Sequence, residues 1–327
     1  MSKPIVFMFS GQGSQYFNMG RELYEQHVRF RSWMNHCDEL AYHYLGTSLL
    51  NEILRPEKNL GDPFDRLLFT NPAILCVEFS LSKVLMEQGI KPDIMVGYSL
   101  GEMAALVVSG AIGLEAGLKF CIESAQTLET DGVKGGMLSV LETQTTLKAY
   151  EHLFQKCWLS GHNFAGNSVY SGTADDIADL QSQLKKKGIV TQRLPIHYAF
   201  HSPLMDRHQS DILKMAKSLS FSEPSVPVFS AVNSSLITDL NEQHMWQILA
   251  KEVEFSQTIE MLLQKGDHVF MDLGPSGTLA TFVKYIMTEE HQSVAIDTMN
   301  QFGRNLHSLD QAVSRSLKSQ TMQTTPA

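Results

Sequence analysis

The 327-residue chain is short of the features that would place it in several large classes of protein. It has no run of the roughly 20 apolar residues that a bilayer demands. Its N-terminus offers only five consecutive apolar residues, Ile5 to Phe9, too few for a secretory signal; the expected location is therefore cytoplasmic, with no membrane partner. Basic residues are outnumbered, 26 Lys and Arg against 35 Asp and Glu, for a formal charge of −9. That sign argues against a nucleic-acid partner, which calls for a basic stripe, and against an anionic lipid surface. The four cysteines, Cys37, Cys76, Cys121 and Cys157, form no C-x-x-C pair, so no metal site or redox motif is expected. Each sits among apolar neighbours and reads as a small buried hydrophobe. Internal repeats and low-complexity segments are also missing. What remains, 43% hydrophobic and 19% charged residues, is a globular profile long enough for one large core and a satellite.

Ile5–Phe9 is fully apolar and reads as a buried strand. It runs into the turn-rich Ser10-Gly11-Gln12-Gly13-Ser14-Gln15. Helical patterns follow over about 19–43, 47–55 and 72–88, then a second apolar strand, Ile94-Met95-Val96-Gly97, and a helix over Leu100–Val108 closed by Gly110. Strand, sharp turn and helix point to an α/β core with a parallel sheet. From about residue 130 the texture changes. Strand 136–141, helix 143–155, strands 157–163 and 167–172, helix 173–187 and strand 188–195 give the βαββαβ order of a ferredoxin-like unit. The expected organisation is a hydrolase-like core over 1–129 and 196–316, a ferredoxin-like insert over 130–195, and a loose Ser-, Thr- and Gln-rich tail over 317–327. The core resumes with strand Val226–Ala231, a helix around 241–264, strand Val269–Leu273 and a helix after Gly277.

Gly97-Tyr98-Ser99-Leu100-Gly101 is a G-x-S-x-G sequence between strand and helix, the context of a nucleophile elbow. The glycines permit the sharp turn, and the helix N-terminus favours developing negative charge. A serine nucleophile needs a base. Among twelve histidines, His201 and His197 both lie where the chain leaves the insert, and position alone leaves the choice between them open.

Four ordered stretches carry a likeness that spans about residues 4–300: Phe9-Ser10-Gly11-Gln12-Gly13-Ser14-Gln15, Gly97-Tyr98-Ser99-Leu100-Gly101-Glu102, Tyr198-Ala199-Phe200-His201-Ser202-Pro203 and Asp272-Leu273-Gly274-Pro275-Ser276-Gly277. With them the chain resembles the malonyl-CoA:acyl-carrier-protein transacylase family, the acyltransferases of fatty-acid and polyketide synthesis. The resemblance implies Ser99 as the acylated nucleophile and His201 as its base. It implies an oxyanion hole from the backbone N–H groups of Gln12 and Leu100, and a histidine oriented by backbone carbonyls near Val253-Glu254-Phe255, with Glu254 as the expected residue. It also implies a substrate pocket that includes Tyr98, Asn71, Asn163 and Phe200, with no cofactor.

The chain departs from the family at one informative place. Members that take malonyl groups carry an arginine in the helix after the elbow, where its planar fork binds the malonyl carboxylate. Here that position falls on Ser124, and no arginine occurs between Arg66 and Arg193. A malonyl carboxylate entering a closed pocket without a charged partner would cost several kcal/mol, on the order of 100-fold in selectivity. Tyr98 and Asn71 also replace the usual histidine and glutamine. The pattern looks like the arginine-less, free-standing homologues that act as acyl hydrolases in trans-acyltransferase polyketide synthases. The implied activity is cleavage of neutral, acetyl-like thioesters from acyl-carrier protein; acyl-CoA is a second donor to consider. The alternatives are an acyltransferase that moves malonyl or another acyl group from CoA to carrier protein, and a degenerate module that docks carrier protein without catalysis. Lys185-Lys186-Lys187 with Arg193 is the candidate basic patch for such a partner.

Overall fold

A computed structural model of the chain describes residues 3–131 and 134–321. All five residues of β1 (Ile5–Phe9) are fully buried, which is where an uninterrupted apolar run finds its minimum: the centre of a sheet covered on both faces. β1 pairs in parallel with β2 (Ile94–Gly97) on one side and β9 (Val269–Asp272) on the other. The sheet extends to β10 (Val294–Asp297) beyond β9, and to β7 (Val228–Ser230) and the short antiparallel β8 (Ser235–Leu236) beyond β2, in the order β10-β9-β1-β2-β7-β8. A second sheet, β4-β5-β3-β6, is built from β3 (Gly135–Leu141), β4 (Trp158–Phe164), β5 (Asn167–Thr173) and β6 (Val190–Arg193). It is antiparallel throughout. The Ala174–Lys186 helix buries Ile177, Leu180 and Leu184 in the core of this smaller sheet. The fold class is the α/β core with a ferredoxin-like unit that the strand order implies.

The differences from the sequence reading have local causes. The pattern over 19–43 divides at His27, whose extended backbone ends the Arg21–Gln26 helix while its ring accepts the Phe30 N–H to start Val28–Leu45. The 241–264 pattern divides into Glu242–Ala250 and Phe255–Gln264, because residues 251–254 leave helical geometry and Val253 bridges to Gly161 beside β4. The helix expected from residue 72 begins at Leu67 and carries Pro72 within it. This Leu67–Glu87 helix has the length and apolarity of a membrane span, contrary to the sequence reading, but 83% of that stretch is buried within the protein. β8, β10 and the Asn305–Thr321 helix were not apparent in the pattern. That last helix overruns the start of the expected tail at 317; residues 322–327 lie outside the described residues.

What places the site is the close approach of β1 and β2 at their C-terminal ends. Tyr98 N–H donates to the Phe9 carbonyl at 2.8 Å. A Cβ on Gly101 would lie 2.0 Å from that same carbonyl oxygen, and one on Gly97 would lie 2.1 Å from Glu102 Cα. Both neighbours are backbone and cannot move aside. Gly101→Ala is therefore expected to lower stability by at least the ~1–3 kcal/mol typical of overpacking, measured as a reduced urea midpoint; an unchanged midpoint would mean the two chain segments separate easily.

Candidate active site

Ser99 sits between β2 and the Leu100–Val108 helix with φ 53° and ψ −122°. This is an uncommon geometry for a non-glycine residue, stored where the surroundings overdetermine it. The strained turn lifts the side chain off the sheet edge. Its Oγ lies 2.7 Å from His201 Nε2. His201 also has a positive φ, 57°, and its N–H donates to the Leu249 carbonyl at 3.1 Å. Its Nδ1 lies 2.6 Å from the carbonyl oxygen of Lys251. A carbonyl only accepts, so Nδ1 carries the proton and Nε2 presents a lone pair to the Ser99 hydroxyl. The orienting carbonyl is thus that of Lys251, not Glu254. The Glu254 carbonyl is engaged by the Thr258 N–H and hydroxyl, at 3.0 and 2.8 Å. The chain leaves the Glu242–Ala250 helix at Lys251 in an extended conformation, φ −90° and ψ 151°. That frees the Lys251 carbonyl from the helical ladder to meet the imidazole. His197, the other candidate base, is instead exposed and bound to Asp65 at 2.7 Å.

The glycine-rich loop after β1 lies against the elbow. A Cβ on Gly11 would be 2.7 Å from the Tyr98 carbonyl oxygen and 3.2 Å from Ser99 Cβ. The loop is held from below by Glu78, which is fully buried and whose Oε1 accepts the Ser10 N–H at 2.6 Å and the Ser10 hydroxyl at 2.8 Å. Burial pushes the Glu78 carboxyl well above the usual carboxylate range, against the lowering effect of those two bonds. Asp272, also buried, accepts the Gly274 and Ala280 N–H groups, and burial raises it to about 7. Among the described residues, the backbone N–H groups of Gln12 and Leu100 make no hydrogen bond to protein.

Two cavities meet at this point. The inner one, about 40 Å³, is bounded by Ser99 and His201, by Gln12, Asn71 and Tyr98, and by an apolar wall from Leu100, Met137, Val169, Leu194, Ile196, Phe200 and Leu249. The outer one, about 300 Å³, lies between the glycine-rich loop, β3 to β6 and the Thr278–Ile286 helix, and includes Asn163. Gln12, Tyr98, Val169 and Leu194 border both cavities. No Lys, Arg, Asp or Glu lines either of them among the described residues. Tyr98 donates to Asn163 Oδ1 at 2.9 Å, and Asn163 in turn donates to Asn167 at 2.5 Å. Its hydroxyl occupies the space above Gly161, where a Cβ would be 2.6 Å away. Gln12 Nε2 donates to Thr70 Oγ1 at 2.8 Å and to Asn71 Oδ1.

Of the residues expected here, Ser99, His201, Gln12, Leu100, Tyr98, Asn71, Asn163 and Phe200 converge. Ser124 does not line either cavity. It is buried on the Leu114–Asp131 helix, and its hydroxyl donates back to the Cys121 carbonyl of the same helix at 3.2 Å. A hydroxyl on a one-carbon stem, turned onto its own helix, does not extend to the chamber. Sequence reasoning missed Lys251, whose contribution is a main-chain atom with no side-chain signature. It also missed Met137, Val169, Leu194, Ile196 and Leu249, ordinary apolar residues of the pattern.

The acyl transferase domain model matches residues 6–323 of the chain. The chain belongs to that family. It is an acyltransferase-family enzyme. It is 39% identical over 310 residues to the "polyketide biosynthesis acyltransferase homolog PksD" of Bacillus subtilis, covering 95% of this chain and 96% of that one. It is 36% identical to the homolog BaeD of Bacillus velezensis, covering 88% and 89%. Among solved structures, the acyltransferase domain from module 8 of the salinomycin polyketide synthase superposes with a TM-score of 0.85 at 27% identity, over 95% of this chain and 76% of that one. The malonyl CoA-acyl carrier protein transacylase of Coxiella burnetii gives a TM-score of 0.80 at 25% identity, over 96% and 98%.

Burial depresses His201 from its ordinary 6.5 to about 4, with the Lys251 carbonyl pulling partly the other way. The folded protein therefore holds the ring neutral where the unfolded chain's imidazole would take up a proton. The stability this represents is complete above pH 6.5 and is lost as pH falls through 4. An NMR titration of the His201 ring is expected to show a midpoint near pH 4; a midpoint near 6.5 would mean a solvated ring.

Proposed function

We propose that this enzyme hydrolyses short, neutral acyl thioesters carried on the phosphopantetheine arm of an acyl-carrier protein in polyketide biosynthesis. The names of its Bacillus relatives support the pathway class. The carrying observation is the 2.7 Å contact between Ser99 Oγ and His201 Nε2, opening on a chamber with no charged wall. The inner chamber is small, about 40 Å³, and its wall is largely apolar. That suits acetyl or propionyl. A malonyl carboxylate would enter without a cation to meet it, and an unpaired buried carboxylate costs several kcal/mol.

The reaction proceeds in two halves. Ser99 gives its proton to His201 Nε2 as Oγ bonds to the thioester carbonyl carbon. The oxyanion is received by the unpartnered N–H groups of Gln12 and Leu100, each worth roughly 3 kcal/mol in such a role. The C–S bond breaks and the pantetheine sulfur leaves with the proton from His201. His201 then takes a proton from water, whose oxygen bonds to the acyl carbon. The ester bond to Oγ breaks, the proton returns to Oγ, and a carboxylic acid departs. A second reading, acyl transfer to a thiol, has support from the outer cavity of about 300 Å³, which gives an incoming arm, whether of carrier protein or CoA, room beside the same serine.

Intact-protein mass spectrometry separates these. Acetyl-carrier protein is expected to decay catalytically to the free-thiol form while malonyl-carrier protein persists, and Ser99→Ala is expected to abolish the decay. Acyl groups that stop on Ser99 until a second carrier arrives would identify a transferase instead. Leu249→Ala, which enlarges the chamber, is expected to extend turnover to butyryl-carrier protein relative to acetyl; an unchanged ratio would show that this wall does not set acyl length.

A further inference from the structure

The last residue of the elbow motif, Glu102, has no part in the chemistry above, yet it is completely buried on the Leu100–Val108 helix three residues after the nucleophile. A carboxylate in that position is costly unless each oxygen is satisfied. Both are: Oε1 lies 2.5 Å from His244 Nε2, and Oε2 accepts the Ser230 hydroxyl at 3.0 Å. His244 is itself 7% exposed and belongs to the Glu242–Ala250 helix. The C-terminal end of that helix supplies the Leu249 carbonyl to His201 N and, one residue beyond, the Lys251 carbonyl to His201 Nδ1. The chain of contacts therefore closes on itself. Ser99 leads through its own helix to Glu102, across to His244, along the second helix to the two carbonyls, and through His201 back to Ser99.

We infer that Glu102 and His244 form a positioning pair that sets the separation of Ser99 Oγ and His201 Nε2. The inference rests on the reading of Ser99 and His201 as nucleophile and base. The geometry favours such a role over simple core packing. Glu102 lies on the helix that begins at Ser99, and His244 on the helix whose C-terminal end contacts His201 through two carbonyls. His201 has no carboxylate partner; the Lys251 carbonyl meets its Nδ1 and the Leu249 carbonyl accepts its backbone N–H, both from the end of the helix that His244 anchors. Ser230, from β7 next to β2, fixes the carboxylate against the sheet, so that the helix bearing His244 is referred to the same sheet as the elbow. A displacement of about 1 Å between reacting groups is enough to cost on the order of 100-fold in rate.

The test follows Ser99 labelling by a fluorophosphonate against pH, together with hydrolysis of acetyl-carrier protein, in the full chain. Glu102→Ala and His244→Ala are expected to slow labelling by about 10-fold or more at pH 7 and to lower kcat with KM unchanged. As the loosened ring gains solvent, the acid limb of the labelling profile should move from near pH 4 toward 6.5, the ordinary histidine value. Apart from His201, Tyr98 is the one ionisable side chain lining the inner chamber among the described residues, and burial raises its phenol above its ordinary range. Glu252, next to Lys251, and Asp272 are raised by burial to about 7 but are common to wild type and variants, so a shift of the limb between them reports the imidazole. Glu102→Gln, whose amide oxygen still accepts from His244, is expected to stay within about 3-fold of wild type, an effect of at most about 0.65 kcal/mol. If the alanine variants do not fold, the double variant Glu102→Gln/His244→Phe breaks the link without stranding a charge and carries the same expectation. A folded variant with unchanged rate and unchanged acid limb overturns the inference alone. Failure of wild-type Ser99 to label overturns the nucleophile reading and the inference with it.

Discussion

The hydrogen bond from His201 Nδ1 to the Lys251 carbonyl is the contact on which the rest of the site depends. It decides the tautomer of the imidazole, and the tautomer decides that Nε2 faces Ser99 as an acceptor. It exists because the chain abandons helical geometry at Lys251 and then bridges through Val253 to Gly161 on the smaller sheet. The same few residues thus terminate a helix, join the two sheets and aim the imidazole. Phe200, immediately before His201, has its carbonyl bound by Ser171 of β5 at 2.6 Å, so His201 is held from the small sheet as well as from the large one.

A carbonyl partner has electrostatic consequences that a carboxylate would not. It orients the ring without adding a full negative charge, so it offsets only part of the burial that drives His201 down. The ring is neutral and able to accept a proton over the whole neutral range, but in the proposed reaction the imidazolium would have only a dipole to rest on. The acids nearby follow the same logic from the other side. Glu78 and Asp272 lie beneath the glycine-rich loop, both raised by burial, so they serve as hydrogen-bond supports more than as charges. The site is organised by dipoles and main-chain groups, and its chamber carries no formal charge that would attract an ionised acyl group.

How much of this the sequence discloses depends on whether the cause is local. The elbow is legible because its glycines are required by contacts only a few residues or one strand away, and a strand as apolar as Ile5–Phe9 has nowhere to go but a sheet centre. The βαββαβ order is legible because each segment changes hydrophobic period at its ends. The ends of helices are less so: His27 interrupts a continuous pattern by capping with its ring, and residues 251–254 interrupt another for the sake of a bridge about 90 residues away in the chain. Lys251 and Glu254 cannot be told apart from sequence, since main-chain carbonyls are the same in every residue. Ser124 marks a true substitution, but the sequence does not reveal that the shorter side chain folds back on its own helix and leaves the wall to its neighbours. Glu102 was visible as part of a motif; His244, one of twelve, acquires meaning only once the helices are side by side.

The interlock of Tyr98 with Gly161 carries a consequence for how such a site can change. The tyrosine hydroxyl fills the place where any other residue at 161 would put its Cβ. The two positions are therefore coupled: a side chain at 161 would press on the Tyr98 hydroxyl and its bond to Asn163, whereas glycine at 161 tolerates a smaller neighbour at 98. A position in the smaller sheet, with no chemistry of its own, thus bears on which side chains stand beside Ser99.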